Sequence, residues 1–333
     1  MNIKIFKNKI SKFLTIVILA CTFIKCDMNL FASQIDYKFI NGYVVYKNAL
    51  YSIAHYNDES SVYSFNGLKS INLLFPKSTM TIIPVPMSQL MIEDVSEIHS
   101  QLASQSEYVE KMKEHIKDTN IKIIDLCDTF INHKDEYIYF KYDHHWQSIG
   151  AYYAYKEFCK ANNLECDDID EYRKVVLNKT YRGGAYKKIL PDDKSIEGYS
   201  DVLTAYIASV SNVMKIYNAS NHLISNGKPC INEEHNAYWG IFLSGDNPYV
   251  EISSKISKKR TALVIKDSFG CAFVPFLVSN YDEIYVVDPR FASFDLVEKM
   301  KNKNIDDIIV VSANYTFGQP TFYNGLANLL PKT

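Results

Sequence analysis

The chain has 333 residues, 47% hydrophobic and 22% charged, which supplies ample apolar surface for a buried core and argues against disorder. Gly (12), Pro (10) and Cys (7) are too few for a collagen-like or disulfide-stapled scaffold. A formal charge of −2 gives no bulk field for nucleic acid, so no nucleic-acid partner is expected. At roughly 150 residues per domain, the length allows two domains or one large α/β domain with an insertion.

Lys4, Lys7, Lys9 and Lys12 precede an apolar run from Phe13 to Ile24. That run is shorter than the roughly 20 residues a membrane span needs, but it fits the centre of a secretory signal. Residues 1–33 are therefore expected to be a signal peptide, cleaved near Ala32 or Ser33, or else an uncleaved anchor, and the protein is expected to be exported to the cell envelope or beyond. Without them the formal charge becomes −6, because five Lys and one Asp leave. Any grip on an anionic polymer must then come from local residues. Cys127, Cys159, Cys166, Cys230 and Cys271 remain, with no C-x-x-C pair and no zinc-type spacing, and they read as buried thiols.

Downstream, Gly42 to Tyr46 and Ala49 to Ile53 flank Lys47-Asn48 as a hairpin. Val62, Phe65, Leu68, Ile71 and Leu74 predict a helix over 58–74, and Thr79 to Pro86 predicts a buried strand stopped by prolines. Val95, Ile98, Leu102, Val109, Met112 and Ile116 predict one long amphipathic helix, followed by a strand over 121–126. A β-prone run at 137–140 leads to a helix over 147–161. Strands over 261–266, 283–287 and 307–311 then alternate with helices over 269–278 and 293–302. Continuous apolar strands alternating with helices imply a mainly parallel sheet covered on both faces. Residues 164–250 break this rhythm, so 34–163 and 251–333 are read as the α/β core and 164–250 as an inserted, partly β lobe.

In such a sheet, functional groups gather beyond the carboxyl ends of the strands. The predicted strand ending at Lys266 runs into Asp267-Ser268-Phe269-Gly270 ahead of an apolar helix. A serine there has the helix N-terminus and free N–H groups beside it, as an acyl-transfer nucleophile requires, although taken alone the segment is better read as Asp267 or Ser268 capping the helix. The second candidate is Tyr142-Asp143-His144-His145-Trp146. In an extended chain Asp143 and His145 face one pocket and His144 faces away, and a carboxylate beside an imidazole fixes its tautomer. A hydrogen-bonded core corner is the alternative. Asp143, His144 and His145 could also ligate zinc or iron. However, His55, His99, His115, His133, His222 and His235 are scattered and offer no further ligand at telling spacing, so no metal and no cofactor are expected. Tyr is abundant at 25; strand and core filling accounts for most such residues, and exposed ones would suit a sugar-stacking surface.

Lys141-Tyr142-Asp143-His144-His145-Trp146, Ile149-Gly150-Ala151-Tyr152-Tyr153-Ala154 and Ile265-Lys266-Asp267-Ser268-Phe269-Gly270 together resemble the bacterial DHHW family. Tyr181-Arg182-Gly183-Gly184-Ala185-Tyr186, Ile241 to Pro248 and Val287 to Phe291 add support. That family is similar in turn to the SGNH-like proteins of alginate and other exopolysaccharide O-acetylation. The resemblance implies a flavodoxin-like SGNH fold and a Ser–His–Asp set, with Ser268 as nucleophile, His145 as general base and then acid, and Asp143 as its orienting carboxylate. Ordinary SGNH hydrolases place the serine first, so the order here looks circularly permuted, and Lys266 stands where the Gly-Asp-Ser form has Gly. Asn314 and Arg290, each beyond a strand's carboxyl end, and His144 are candidates for a second oxyanion donor or for substrate contact. The expected function is an exported O-acyltransferase or acetylesterase of a cell-wall or extracellular polysaccharide, with a membrane-bound O-acyltransferase as the implied acyl donor. The alternative is a non-catalytic glycan-binding scaffold that uses its tyrosines and the lobe.

Overall fold

The computed structural model describes residues 36–233 and 239–331; the leader expected over 1–33, and His235, lie outside them. β1 (Tyr37–Ile40), β2 (Tyr43–Tyr46) and β3 (Ala49–Ser52) make a small sheet, in which β2 and β3 form the expected hairpin with Val45 opposite Leu50. β4 (Thr79–Val85) and β5 (Lys122–Ile123) come next. β6 (Arg173–Tyr181) and β7 (Asp201–Ile207) then pair as a separate antiparallel ribbon. β8 (Asn212–Tyr217), β9 (Leu223–Lys228), β10 (Tyr249–Ser254), β11 (Thr261–Lys266), β12 (Glu283–Val287) and β13 (Asp307–Ala313) complete the strands among the described residues.

The large sheet has the order β5-β4-β13-β11-β12-β10-β8-β9. From β5 to β12 every pairing is parallel, and from β12 to β9 every pairing is antiparallel. Counted from β11 instead of β4, the parallel strands run β11, β12, β13, β4, β5, and their spatial order becomes 2-1-3-4-5. That is the flavodoxin-like order, whose ligand crevice lies where the first and third strands part. Here the crevice falls between the carboxyl ends of β11 and β13. The circular permutation is thus visible in the strand order itself.

The parallel strands read as apolar runs because both faces are covered. Along β11, Ala262 and Val264 face a core containing Trp146, Tyr155, Phe158, Phe269 and Phe273. Leu263 and Ile265 alternate to the other face, against Phe65 and Leu68 of the helix Asp58–Leu74 and Phe322 and Leu326 of the helix Pro320–Asn328.

Several expectations are corrected. The stretch 164–250 is divided: only β6 and β7 stand apart, while β8, β9 and the start of β10 extend the large sheet as antiparallel strands. β8 alternates and β9, at the edge of the sheet, is almost wholly exposed, which is why these strands lack the apolar run of the centre. The long helix expected over 95–116 is broken into Ser96–His99 and Gln105–Ile116. Gln89 donates to the Ala103 carbonyl (2.9 Å), and Gln105 clamps both the N–H and the C=O of Met87, which pins the break. The helix expected over 269–278 is a turn, Gly270–Phe273, followed by a 3-10 segment, Val274–Ser279, that contains Pro275, whose ring lacks the N–H a regular helix needs. The strand expected over 121–126 shrinks to two residues, and the run at 137–140 makes only the isolated bridge Tyr139 to Trp146. All five described cysteines are free. No helix among the described residues is long and apolar enough to cross a membrane.

Candidate active site

β11 delivers Ser268 to the crevice. Its predecessor Asp267 is buried, and its carboxylate accepts from the N–H of Phe269 (2.9 Å), the N–H of Ala313 (2.9 Å) and Oγ1 of Thr316 (2.7 Å). The first bond closes the turn around Ser268, and the other two tie that turn to the end of β13. Burial raises the pKa of Asp267, against the opposing charge of Arg290. One residue earlier, the fully buried Lys266 ammonium lies 2.9 Å from Asp246, 3.1 Å from Asp288 and 3.2 Å from Sγ of Cys271. Where the Gly-Asp-Ser form has glycine, this chain thus places a cation neutralised beneath the turn.

The imidazole arrives from the segment before the helix Ser148–Asn162. His145 Nε2 lies 2.8 Å from Ser268 Oγ, and its Nδ1 lies 2.6 Å from Asp143 Oδ1, which also accepts the His145 N–H at 2.9 Å. The second oxygen, Oδ2, accepts from the Tyr181 hydroxyl and the Gly184 N–H, each at 2.9 Å. Burial opposes the ionised form of Asp143, but His145 and His144 beside it hold its pKa well below the usual carboxylate range. An ionised Asp143 fixes the proton of His145 on Nδ1 and leaves Nε2 to accept from Ser268.

The sequence placed these three groups on two segments, and the structure brings them within hydrogen-bond reach of one another. It differs on how the second segment is bent. Residues 141–145 turn rather than extend, and His144 does not face away: its ring lies 3.9 Å from that of His145 at 36°. Burial and the neighbouring His145 push His144 down to about 4, against the raising effect of Asp143 and Asp246. Arg290 is gripped by Asp288 (2.8 and 2.6 Å) and Asp246 (3.1 Å) beside the site. Asn314 is buried and donates to Gln105 at 2.8 Å.

Three contributors were not singled out by the sequence reading. Trp239 stacks on His145, with centroids 4.1 Å apart and rings 10° from parallel, and its indole N–H donates to the Ser268 carbonyl at 3.0 Å. One side chain thereby touches both the base and the backbone of the serine. Gly183 lies so close to Asp143 that a Cβ there would overlap the carboxyl. Asp201, at the start of β7, accepts from the N–H of Lys141 (2.9 Å), the N–H of Tyr142 (2.8 Å) and the Tyr137 hydroxyl. The signals available were that Trp239 is one of only two tryptophans and that Gly183-Gly184 marks a turn.

Ligand atoms of Asp143, His144 and His145 lie within 4.8 Å of one another, close enough for a metal ion. Both nitrogens of His145 are already engaged, by Asp143 and Ser268, and both oxygens of Asp143 accept hydrogen bonds. That donor set fits a proton relay better than a coordination shell.

The family model described as DHHW protein matches residues 39–287. The chain belongs to the DHHW family. The matched span includes Asp143, His145 and Ser268 and stops short of Arg290 and Asn314. Among solved structures, the chain is similar to a DHHW family protein from Eubacterium siraeum, with 22% identity, a TM-score of 0.78, and coverage of 90% of this chain and 99% of that one. It is also similar to PatB1 of Bacillus cereus, solved with a sulfonyl adduct, with 15% identity, a TM-score of 0.65, and coverage of 86% and 97%. A comparison with curated proteins finds no match. The DHHW chain shares with these structures the expected SGNH-like α/β fold.

Proposed function

We propose that this DHHW protein is an exported serine-dependent O-acyltransferase or acetylesterase acting on a cell-wall or extracellular polysaccharide. The observation that carries this reading is the continuous line from Asp143 through His145 to Ser268, with contacts of 2.6 and 2.8 Å. His145 takes the Ser268 proton as Oγ attacks an acyl carbonyl, and the resulting imidazolium is held by Asp143 and by the face of Trp239. The tetrahedral intermediate collapses to an acyl-serine as the leaving oxygen takes that proton. A sugar hydroxyl or water then gives its proton to His145, attacks the acyl carbon, and frees Ser268. The Ser268 N–H lies at the turn to receive the oxyanion. For the second donor we place Arg290, whose Nη1 has no hydrogen-bond partner among the described residues, ahead of Asn314, which already gives one amide hydrogen to Gln105. Each such donor contributes roughly 3–4 kcal/mol to the transition state. His144 is assigned to substrate contact. The acyl donor is assigned to a membrane-bound O-acyltransferase, in keeping with the export proposed here.

A sulfonyl fluoride should add one sulfonyl mass to the wild-type protein at Ser268, and Ser268→Ala should abolish both labelling and release of p-nitrophenol from its acetate, at least about a 10⁴-fold loss. Full turnover by Ser268→Ala would remove Ser268 from the mechanism. A protein that resists labelling yet still binds polysaccharide would be the non-catalytic scaffold.

A further inference from the structure

A cavity of about 310 Å³ opens at the carboxyl ends of the strands beside His144. Its walls come from Tyr43 in the small sheet, Met87 after β4, Tyr315 after β13, and Lys188 on the helix Gly184–Ile189. The small sheet is a built wall. Tyr43, Val45 and Leu50 pack against Tyr142, Ala185, Tyr186 and Ile189, and Asn41 donates to Asp192 at 2.6 Å. Small-ligand sites occupy roughly 300–1,000 Å³, so this one accommodates a single sugar unit. Its chemistry is one-sided. Lys188 and the imidazoles of His55 and His144 line it, with no Asp or Glu. Lys188 has no ion-pair partner among the described residues, and its ammonium lies 5.4 Å from the Tyr43 ring centroid. In a chain of net negative charge, an unpaired ammonium in a carboxylate-free cavity is a local selection for anions.

We infer that this cavity is the acceptor subsite and that it takes a sugar unit bearing a carboxylate or a phosphate, with the anion at Lys188 and a ring hydroxyl toward His145 and Ser268. The assignment as acceptor subsite rests on the acyl-transfer reading. The bound hydroxyl attacks the acyl carbon of acyl-Ser268, its proton passes to His145 Nε2, the Ser268 Oγ–acyl bond breaks, and Oγ recovers the proton. No further reactant is needed beyond the acyl donor.

Binding is tested by calorimetry on the Ser268→Ala chain, where turnover plays no part. The probes are trigalacturonate, a hexose 6-phosphate, and neutral galactotriose and galactose as their uncharged counterparts. At least one acidic probe should bind about tenfold or more tighter than its counterpart. That preference should vanish in Lys188→Ala, persist in Lys188→Arg, and shrink at 1 M salt, where the screening length falls to about 3 Å. Equal binding of acidic and neutral probes, binding of none, or a preference intact in Lys188→Ala would overturn the inference. If the acidic preference holds while the wild-type chain shows no sulfonyl labelling or ester turnover, the subsite stands and the acyl-transfer reading falls.

Discussion

The two sides of the Ser268–His145 contact are built by different means. Ser268 is carried on β11, which is hydrogen-bonded on both sides by parallel neighbours, and Asp267 fastens its turn to β13. Its position is a property of the central sheet. Asp143 and His145 sit on a bent segment held by polar contacts from farther along the chain: Tyr181, Gly184 and Asp201. Their position is a property of β6, β7 and the turn between them. One side is fixed by apolar periodicity and strand order, the other by a few directional hydrogen bonds, so the second should be the easier to uncouple from folding.

Gly183→Ala puts the largest strain on that contrast. The added methyl overlaps the Asp143 carboxyl and must displace it, and a displacement of about 1 Å costs on the order of 10²-fold in rate. We expect a 10²- to 10⁴-fold fall in ester turnover with far-ultraviolet circular dichroism unchanged; labelling at the wild-type rate would show that Asp143 is not positioned from this turn. A paired measurement follows. Asp267→Ala leaves two N–H groups and a hydroxyl unpaired in the core, at about 1–3 kcal/mol for each buried group, so urea unfolding should show a loss of at least about 3 kcal/mol. Asp201→Ala also unpairs three donors, the N–H groups of Lys141 and Tyr142 and the Tyr137 hydroxyl, but only the Tyr142 bond is fully buried, so it should cost about 1–3 kcal/mol while slowing sulfonyl labelling about tenfold. Equal stability losses in the two variants would erase the distinction between the sides.

The same contrast explains what was legible in the sequence. β11, β12 and β13 are conspicuous because burial on both faces makes every position apolar, and the turn after β11 announces Ser268. Asp143 and His145 were visible as a motif, yet their meeting with Ser268 follows from β11 lying between β13 and β12, with β4 beyond β13, an order that no local window contains. β9 was hidden because its pattern is almost wholly exposed, and the break at 100–104 was hidden because Gln89 and Gln105 act across the chain. Trp239, Tyr181 and Asp201 carry no local signature of their roles. A tryptophan or a buried aspartate reads the same whether it holds a core or a base, and only its distant partners tell which.

The mildest prediction concerns acid. His144 has its pKa pushed down from 6.5 to about 4, chiefly by burial and then by His145, so the folded state favours the neutral ring and the unfolded chain takes the proton first. The stability this confers is fully present above about 6.5 and is lost as pH falls toward about 4. The slope is no steeper than about 1.4 kcal/mol per pH unit, and it is shallower here because a third of the side chain meets solvent. His144→Gln removes the titration, so urea midpoints of the wild type and the variant should run parallel above pH 7 and diverge between pH 6 and 4.5, with the wild type falling faster. On the Ser268 side, burial likewise disfavours ionised Asp246, but Lys266 and Arg290 hold it at about 2, so its contribution is lost only below the ordinary value of 3.8. Asp267, raised by burial, gains stability rather than losing it as the pH falls, so a loss of stability between pH 6 and 4.5 that His144→Gln abolishes should belong to the Asp143–His145 side. Parallel curves down to pH 4.5 would mean that the two sides answer to acid together, and the contrast between them would be one of architecture without a thermodynamic counterpart.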